Sequence, residues 1–339
     1  MYRNDFTVSR DLGLNSCQDF LRFQPQTSLR LLFSGSIKSV IRDEQHRPKN
    51  GSQIKHLSFS LALALFIGVS WVANALPQLP NYYPMEFRES LETPESQKQI
   101  PRLLFEVLSK AHLSKDSSPD ELIDSCPKKA NCFKQLELSY KVARTHMFGE
   151  LHLLQMNNKY AVKGVYCSKT LDESSFPEGA RPGPGSIPSA RVMNTEHTWP
   201  QSRFSRNFPK QLQKGDLHIL FPVESPVNSL RSNYPFGEVS SVSQRPCASA
   251  RKGRSGRSGR QVFEPADEHK GNVARALFYF SMRYKIDIDP EQEETLRAWD
   301  RSDPVDDFER QRNEKIFEIQ KNRNPFIDYP ELSQLISDF

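Results

Sequence analysis

The sequence has little glycine, a low mean hydropathy and only one long apolar run. Its 339 residues include 15 Gly and 24 Pro, and the mean hydropathy is −0.64. These values exclude a collagen-like chain, a coiled coil and a membrane protein with several spans. With 37% hydrophobic and 26% charged residues, the chain is long enough to bury a sizeable core in one or two domains.

The one long apolar run covers residues 57–72, which is shorter than the roughly 20 residues that a membrane-spanning helix needs. A basic flank precedes it, and Ala73-Asn74-Ala75, a small-x-small cleavage pattern, follows it. This order indicates a secretory signal peptide over residues 55–75, with a buried core helix or a signal anchor as the alternative. We expect residues 1–54 to be a spurious or disordered extension, and residues 76–100 to be a flexible leader.

The formal net charge of +5 belongs mainly to the part of the chain that precedes the predicted cleavage site. After residue 75 the sequence contains 37 Lys and Arg against 36 Asp and Glu. Residues 191–260, however, contain twelve Lys and Arg against four Asp and Glu. One basic segment in an otherwise acidic chain favours contact with a polyanion through that segment.

Four of the five cysteines follow the predicted cleavage site, and their even number is typical of an exported protein. Cys126 and Cys132 close a small polar loop and form a plausible local disulfide. Cys167 and Cys247 remain as a candidate pair by elimination, but the sequence does not establish this connectivity. The cysteine spacing matches no zinc template.

The periodicity of the chain predicts an α+β fold, with a small mixed β region flanked by helices. We expect one domain over residues 101–339, in which the arginine-rich residues 251–260 form a basic flexible insertion. Its five cations would attract a phosphate backbone, with a solvated tether as the alternative. The predicted elements are helices around residues 103–108, 135–148 and 269–284, helix starts at Ser118-Pro119, Asp289-Pro290 and Asp303-Pro304, and a β-hairpin that turns at Asn157-Asn158-Lys159.

Candidate chemistry lies in residues 194–200 (NTEHTWP), where Glu196 and His197 are adjacent. Neighbours on a strand point to opposite faces, so a strand end or bend is needed to bring them together; the alternative is an ordinary pair of surface residues. Residues 216–222 have the pattern of a second strand, and a helix carrying Asn228 follows. Glu and Asn oxygens suit Mg²⁺, and a neutral His beside the ion can accept a proton from an attacking water.

These segments resemble the bacterial endonuclease I family, which comprises secreted or periplasmic nucleases built on a central ββα-metal (His-Me finger) motif. The resemblance implies that His197 is the general base, and that Glu196 and Asn228 hold one Mg²⁺, for which Mn²⁺ or Ca²⁺ can substitute. It also implies products with 5′-phosphate ends. The similar blocks occur in order: NTEHTWPQSRF, DLHILFP, SPVNSLRSNYPFGEV, FEPADEHKGNVARALFYFSMRY and RNEKIFEIQKNRNPFIDYPEL.

Three arginines are candidate ligands for phosphate. The resemblance suggests that Arg203 or Arg206 contacts the product phosphate, as an arginine of this loop does in family members. Arg231 is expected either to bind phosphate or to brace Asn228. A solvated surface arginine is the alternative for each of them.

The resulting prediction is a secreted or periplasmic, Mg²⁺-dependent endonuclease that cuts DNA, with RNA left open. Contacts to phosphate carry no base information, so low sequence specificity is expected. We expect a monomer with no stable membrane insertion after signal cleavage. The alternatives are a non-catalytic extracellular DNA-binding module and a phosphodiesterase acting on a small phosphodiester. The presence of Glu196, His197 and Asn228 favours an enzyme, because binding alone requires neither a base nor a metal site.

Overall fold

A computed structural model describes residues 80–128 and 130–339. The expected extension over residues 1–54 and the predicted signal peptide over residues 55–75 lie outside these residues. In the part of the chain that is described, no helix is both long enough and apolar enough to cross a membrane.

Short strands and helices make up the described chain, with longer helices towards its end. The strands are β1 (Ala111–Lys115), β2 (Ser118–Ile123), β3 (Cys132–Phe133), β4 (Leu153–Met156), β5 (Lys159–Gly164), β6 (Lys169–Asp172), β7 (Met193–His197), β8 (Leu220–Glu224), β9 (Val239–Gln244), β10 (Arg251–Ser255) and β11 (Gln261–Glu264). The α-helices are α1 (Met85–Glu89), α2 (Pro94–Gln97), α3 (Ile100–Ser109), α4 (Tyr140–His146), α5 (Lys210–Lys214), α6 (Ser225–Arg231), α7 (Lys270–Tyr284), α8 (Pro290–Ser302), α9 (Asp307–Gln320), α10 (Pro325–Asp328) and α11 (Leu332–Leu335).

The strands of the described residues form several small sheets rather than one large sheet. Three sheets have three strands each, in the orders β2-β1-β3, β4-β5-β6 and β11-β10-β9, while β7 pairs with β8. All of these strand pairs are antiparallel. Antiparallel sheets combined with separate helices make an α+β fold, as the sequence predicted.

Helix α7 lies at the centre of the core, and nearly all of its residues are buried. Apolar residues occur on all of its faces, which is typical of a helix surrounded by other elements. Its Tyr279 and Tyr284 each donate a 2.8 Å hydrogen bond to the Asp216 carboxylate, and Gln320 of α9 donates a third at 2.9 Å. This buried network holds the segment that leads into β8.

The described part of the expected leader, residues 80–100, is folded. It contains α1 and α2, and its Tyr82, Tyr83 and Phe87 side chains are buried. The Tyr82 ring stacks on the His112 ring with 4.2 Å between centroids. The expectation of a flexible leader is wrong for these residues, because three aromatic side chains join the core and stabilise the segment.

The arginine-rich residues 251–260 do not form a flexible insertion. They contain β10, which is the central strand of its sheet and pairs with both β9 and β11. In the following turn, Arg257 forms a bidentate ion pair with Glu294, and Arg260 binds Asp289 at 2.6 Å. Strand pairing therefore orders the segment. Acids at the start of α8 pair with Arg257 and Arg260, and Glu264 of β11 pairs with Arg251, so three of the five cations expected to attract phosphate have carboxylate partners.

Two predicted helix starts are wrong, because tertiary contacts decide these positions. Ser118-Pro119 begins strand β2, which pairs with β1 and places Asp120 next to the buried His112. Asp303-Pro304 lies in the short segment between α8 and α9, and the cap of α9 is Asp306, whose carboxylate accepts the backbone N–H of the third helical residue.

Other local signals are confirmed. Asp289 caps α8, with Pro290 at the start of the helix. The β4–β5 hairpin turns at Asn157 and Asn158, whose φ angles of 49° and 61° are in the left-handed region that asparagine tolerates. The helices predicted around residues 103–108 and 269–284 are α3 and α7, while α4 begins at Tyr140, later than predicted.

Both candidate disulfides are present. The local disulfide joins Cys126 to Cys132, and the long disulfide joins Cys167 to Cys247 across a sequence separation of 80 residues. The long disulfide connects the turn after β5 to the segment between β9 and β10. It therefore links two of the small sheets covalently.

Candidate active site

Strands β7 and β8 and helix α6 form a strand–strand–helix unit that carries the predicted site residues. The register of the strands places Glu196 opposite Phe221 and His197 opposite Leu220. Helix α6 begins directly after β8, with Pro226 in its first turn, where the fixed φ of proline suits a helix. Both strands are almost entirely buried, so their side-chain directions are determined by packing.

His197 is the last residue of β7 and is only 6% exposed. Its Nε2 lies 3.0 Å from the carbonyl oxygen of Lys214. Because a carbonyl oxygen only accepts, Nε2 carries the hydrogen, and Nδ1 keeps its lone pair. The Gln201 side-chain amide approaches Nδ1 at 3.3 Å. The tautomer therefore presents Nδ1 as the nitrogen that can accept a proton.

Burial and the nearby cations Lys214 and Arg231 together lower the pKa of His197 to about 4, although the hydrogen bond to the Lys214 carbonyl opposes the shift. The imidazole is therefore neutral at neutral pH, which is the form that a general base requires. Its ring also lies against the Tyr140 ring, with 5.4 Å between centroids, and meets Phe204 edge-on at 6.0 Å.

The Glu196 side chain has a separate set of partners from His197, as expected for neighbours on a strand. It is 3% exposed. The Tyr166 hydroxyl donates a 2.7 Å hydrogen bond to Oε1, and Nη1 of Arg231 lies 3.0 Å from the same oxygen. Burial raises the pKa of Glu196, while Arg231 and Tyr166 lower it. Within the described residues, no hydrogen bond engages Oε2.

Asn228 lies on α6 and is half-buried. Its amide nitrogen donates a 3.3 Å hydrogen bond to the backbone carbonyl of Thr195, next to Glu196 in the chain. This bond uses the amide nitrogen and leaves Oδ1 without a hydrogen bond to any described residue. Oε2 of Glu196 and Oδ1 of Asn228 are thus two oxygen atoms without a hydrogen bond to any described residue, and both are hard donors that suit a divalent cation.

Arg231 is a buried brace and does not present its charge to solvent, since its side chain is only 2% exposed. Besides Glu196, its guanidinium donates to the backbone carbonyls of His197 at 3.3 Å and Thr198 at 2.7 Å. It also lies 4.4 Å from the centre of the Phe236 ring. The interpretation of Arg231 as a phosphate ligand is therefore corrected. It connects α6 to the end of β7 and does not contact Asn228 through a hydrogen bond in the described residues.

Arg203 and Arg206 are exposed, on the excursion between β7 and β8. Arg203 lines a cavity of about 180 Å³ together with Thr198 and Arg231, so it lies close to the end of β7. Burial and the neighbouring Arg231 and Arg260 cations lower the pKa of Arg203. Of the two exposed arginines, Arg203 thus lies near Thr198, the residue that follows β7. Neither Arg203 nor Arg206 forms an ion pair with the described residues.

Several residues that shape the site could not be predicted from the sequence. Tyr166 hydrogen-bonds Glu196 from the turn after β5, and Tyr140 packs against His197 from α4. Lys214 orients His197 through its backbone carbonyl. Every residue has such a carbonyl, so the residue type at position 214 does not indicate this role. The described residues contain no cluster of three or more His, Cys, Asp or Glu side chains that could hold a metal. A cation bound here would therefore keep several water ligands.

The sequence of residues 134–331, more than half of the chain, matches the family described as Endonuclease I. An extracellular ribonuclease of Bacillus subtilis (strain 168) is 38% identical over 157 residues, covering 41% of this chain and 51% of that protein. An extracellular deoxyribonuclease of Aeromonas hydrophila is 35% identical over 117 residues, covering 34% of this chain and 50% of that protein. A periplasmic deoxyribonuclease of the same species is 33% identical over 117 residues, covering 34% and 48%. The chain spans about half the length of these curated relatives.

Proposed function

Because this chain belongs to the endonuclease I family, we propose that it is a secreted, Mg²⁺-dependent endonuclease that hydrolyses phosphodiester bonds of DNA. The observation that carries the proposal is the arrangement at the end of β7. There, a neutral imidazole whose Nδ1 accepts only from the Gln201 amide adjoins a carboxylate and an amide, each of which keeps one oxygen without a hydrogen bond to any described residue. RNA is the second candidate substrate, since the relative with 38% identity is described as a ribonuclease.

In this proposal, β7, β8 and α6 form the ββα-metal (His-Me finger) motif. The order of the elements supports it: the base stands at the end of the first strand, and an amide ligand projects from the helix that follows the second strand. The hydrogen bond from Asn228 to the Thr195 carbonyl joins the helix to the first strand. In the proposed motif, β7, β8 and α6 alone supply both the base and the metal ligands.

His197 acts as the general base of the proposed reaction. Nδ1 removes a proton from a water molecule as that water attacks the phosphorus, the bond from phosphorus to the 3′ oxygen breaks, and the leaving oxygen is protonated from solvent. The phosphate stays on the 5′ end of the product. The Lys214 carbonyl keeps Nε2 protonated and holds the ring in orientation throughout. Arg203, which lies near the residue that follows β7, binds the product phosphate.

Glu196 through Oε2 and Asn228 through Oδ1 hold one Mg²⁺, and Mn²⁺ or Ca²⁺ can substitute for it. Both atoms are hard oxygen donors, which fits Mg²⁺ and the few protein ligands that it usually takes. When bound, the cation supplies positive charge that stabilises the developing charge on the phosphate and the leaving oxygen. Tyr166 and Arg231 hold the Glu196 carboxylate by its other oxygen, as supporting residues of metal ligands do.

The proposed enzyme has low sequence specificity, because its contacts are to phosphate and to the metal. Export to the periplasm or to the medium is supported by the signal-like residues 55–75 and by relatives described as extracellular or periplasmic. Two disulfides are consistent with an oxidising compartment. We propose that the exported protein acts as a monomer.

A plasmid-nicking assay tests the proposal. Supercoiled DNA and a folded RNA are incubated with the protein in Mg²⁺ or in EDTA. We expect cleavage with Mg²⁺ that EDTA abolishes, and we expect His197→Ala to reduce turnover about 10²–10⁴-fold while binding persists. Retention of DNA without cleavage would favour the non-catalytic binding module. Activity confined to a chromogenic phosphodiester would favour the small-substrate phosphodiesterase.

A further inference from the structure

Helix α4 brings an aromatic side chain to the proposed general base. Tyr140, in its first turn, lies against the His197 ring with 5.4 Å between centroids and 31° between planes. Tyr140 is half-buried. The contact joins residues that are far apart in the sequence, and it lies outside the β7–β8–α6 unit.

Two cations flank the Tyr140 ring. Nζ of Lys214 lies 4.4 Å from the ring centroid, and the guanidinium carbon of Arg144 lies 5.6 Å from it. Arg144 also donates through Nε to the Thr195 hydroxyl at 3.1 Å, which ties it to β7. Arg144, Lys214 and Tyr140, which we term the α4 cation cluster, therefore converge on the imidazole side of the proposed site.

The α4 cation cluster lacks carboxylate partners among the described residues, in contrast to the two arginines of the turn after β10. No carboxylate of the described residues lies within ion-pair distance of Arg144 or Lys214, whereas Arg257 and Arg260 are both paired with acids of α8. The positive charges of Arg144 and Lys214 lie over the same ring and repel each other. An anion bound between them would offset this repulsion. Cation–π contacts hold both charges in place without neutralising them.

The geometry points to the α4 cation cluster as a binding site for the nucleic-acid backbone: Arg144 and Lys214 bind phosphates that neighbour the scissile one, and Tyr140 positions His197 beneath them. This inference rests on the proposed function. It assigns the electrostatic attraction for the substrate to Arg144 and Lys214. The sequence had instead suggested the arginine-rich segment 251–260 for this role.

The test measures how binding of a labelled DNA duplex depends on salt, in EDTA so that no cleavage occurs. Each phosphate contact contributes about 0.9 to the slope of log affinity against log salt. We therefore expect Arg144→Gln and Lys214→Met each to reduce the slope by about 0.9 and the affinity at 0.1 M salt by about five- to tenfold. Lys214→Met retains the backbone carbonyl that orients His197. Arg144→Lys, which keeps the charge, should restore the slope.

Lys321→Met is the matched control, because Lys321 also lies over an aromatic ring, that of Phe317 at 5.9 Å, and has no ion pair within the described residues. Its slope should equal that of the unmodified protein. The inference is overturned if Arg144→Gln and Lys214→Met keep the full slope, or if Lys321→Met lowers it equally. If the unmodified protein cuts neither DNA nor RNA, the proposed function itself fails; unchanged slopes in an active nuclease would refute the α4 cation cluster alone.

Discussion

Replacing Arg231 by methionine should destabilise the fold far more than replacing an exposed arginine. The guanidinium is buried, 3.0 Å from Glu196, and it also donates to the carbonyls of His197 and Thr198. Methionine fills much of the same volume and keeps the packing against Phe236. The decrease in the free energy of unfolding therefore reports mainly on the lost polar contacts. Breaking a buried ion pair by removing one partner costs about 3–5 kcal/mol.

Urea unfolding of the oxidised protein measures this loss as a free energy of unfolding. In a domain of this size, 1 kcal/mol corresponds to about 2–4 °C in Tm, so a fall of about 6–20 °C is also expected. Combining Arg231→Met with Glu196→Gln should recover part of the loss, about 0.5–3 kcal/mol, because no buried charge is then left unpaired.

The comparison with an exposed arginine makes the result decisive. Arg206→Met should change the free energy of unfolding by less than about 0.5 kcal/mol, as is usual for surface positions. If Arg231→Met unfolded within about 1 kcal/mol of the unmodified protein and instead weakened DNA binding, Arg231 would be a phosphate ligand after all, and its assignment as a buried brace would be incorrect.

Three further outcomes are expected. Asn228→Ala should raise the Mg²⁺ concentration for half-maximal cleavage at least about tenfold, and an unchanged metal titration would exclude Asn228 as a ligand. Replacing both cysteines of the long disulfide by serine should lower the free energy of unfolding in urea by about 4 kcal/mol, against about 2 kcal/mol for the local disulfide. The reason is that closing the longer loop removes more entropy from the unfolded chain. Equal decreases for the two variants would contradict this. Hydrogen bonds from Ser255, Ser258 and Arg260 lower the pKa of Glu291 to about 2, so the carboxylate stabilises the fold above its unfolded pKa of 4.5 and loses this effect as pH falls towards 2. Glu291→Gln should therefore be less stable than the unmodified protein at pH 7 but equal to it near pH 2, as measured by unfolding at both values.

Elements whose signal is local could be predicted from the sequence. Asp289-Pro290 begins a helix and Asn157-Asn158 turns a hairpin in the structure, as predicted, because caps and turns depend on the residues that form them. Ser118-Pro119 carries a similar helix-start signal but lies in a strand. There, pairing with β1 outweighs a local capping preference that is worth about 0.5–2 kcal/mol.

The residue types of the candidate site were also predictable, because Glu196 and His197 are adjacent and Asn228 follows within one short unit. The supporting residues were not. Tyr166, Arg231 and the Lys214 carbonyl reach the two side chains from separate elements, and no sequence spacing encodes such contacts.

By itself, then, the sequence determined which side chains could perform the chemistry, the cysteines available for crosslinks and the α+β class, all of which follow from composition and local pattern. Only the tertiary structure decided which charges are neutralised. It pairs the arginines after β10 with acids at the start of α8 and buries Arg231 against Glu196. It leaves Arg144 and Lys214 at the Tyr140 ring with no ion pair to any described residue. The physical reason is that the field around a charge depends on distance in space and on burial, and neither is a property of position along the chain.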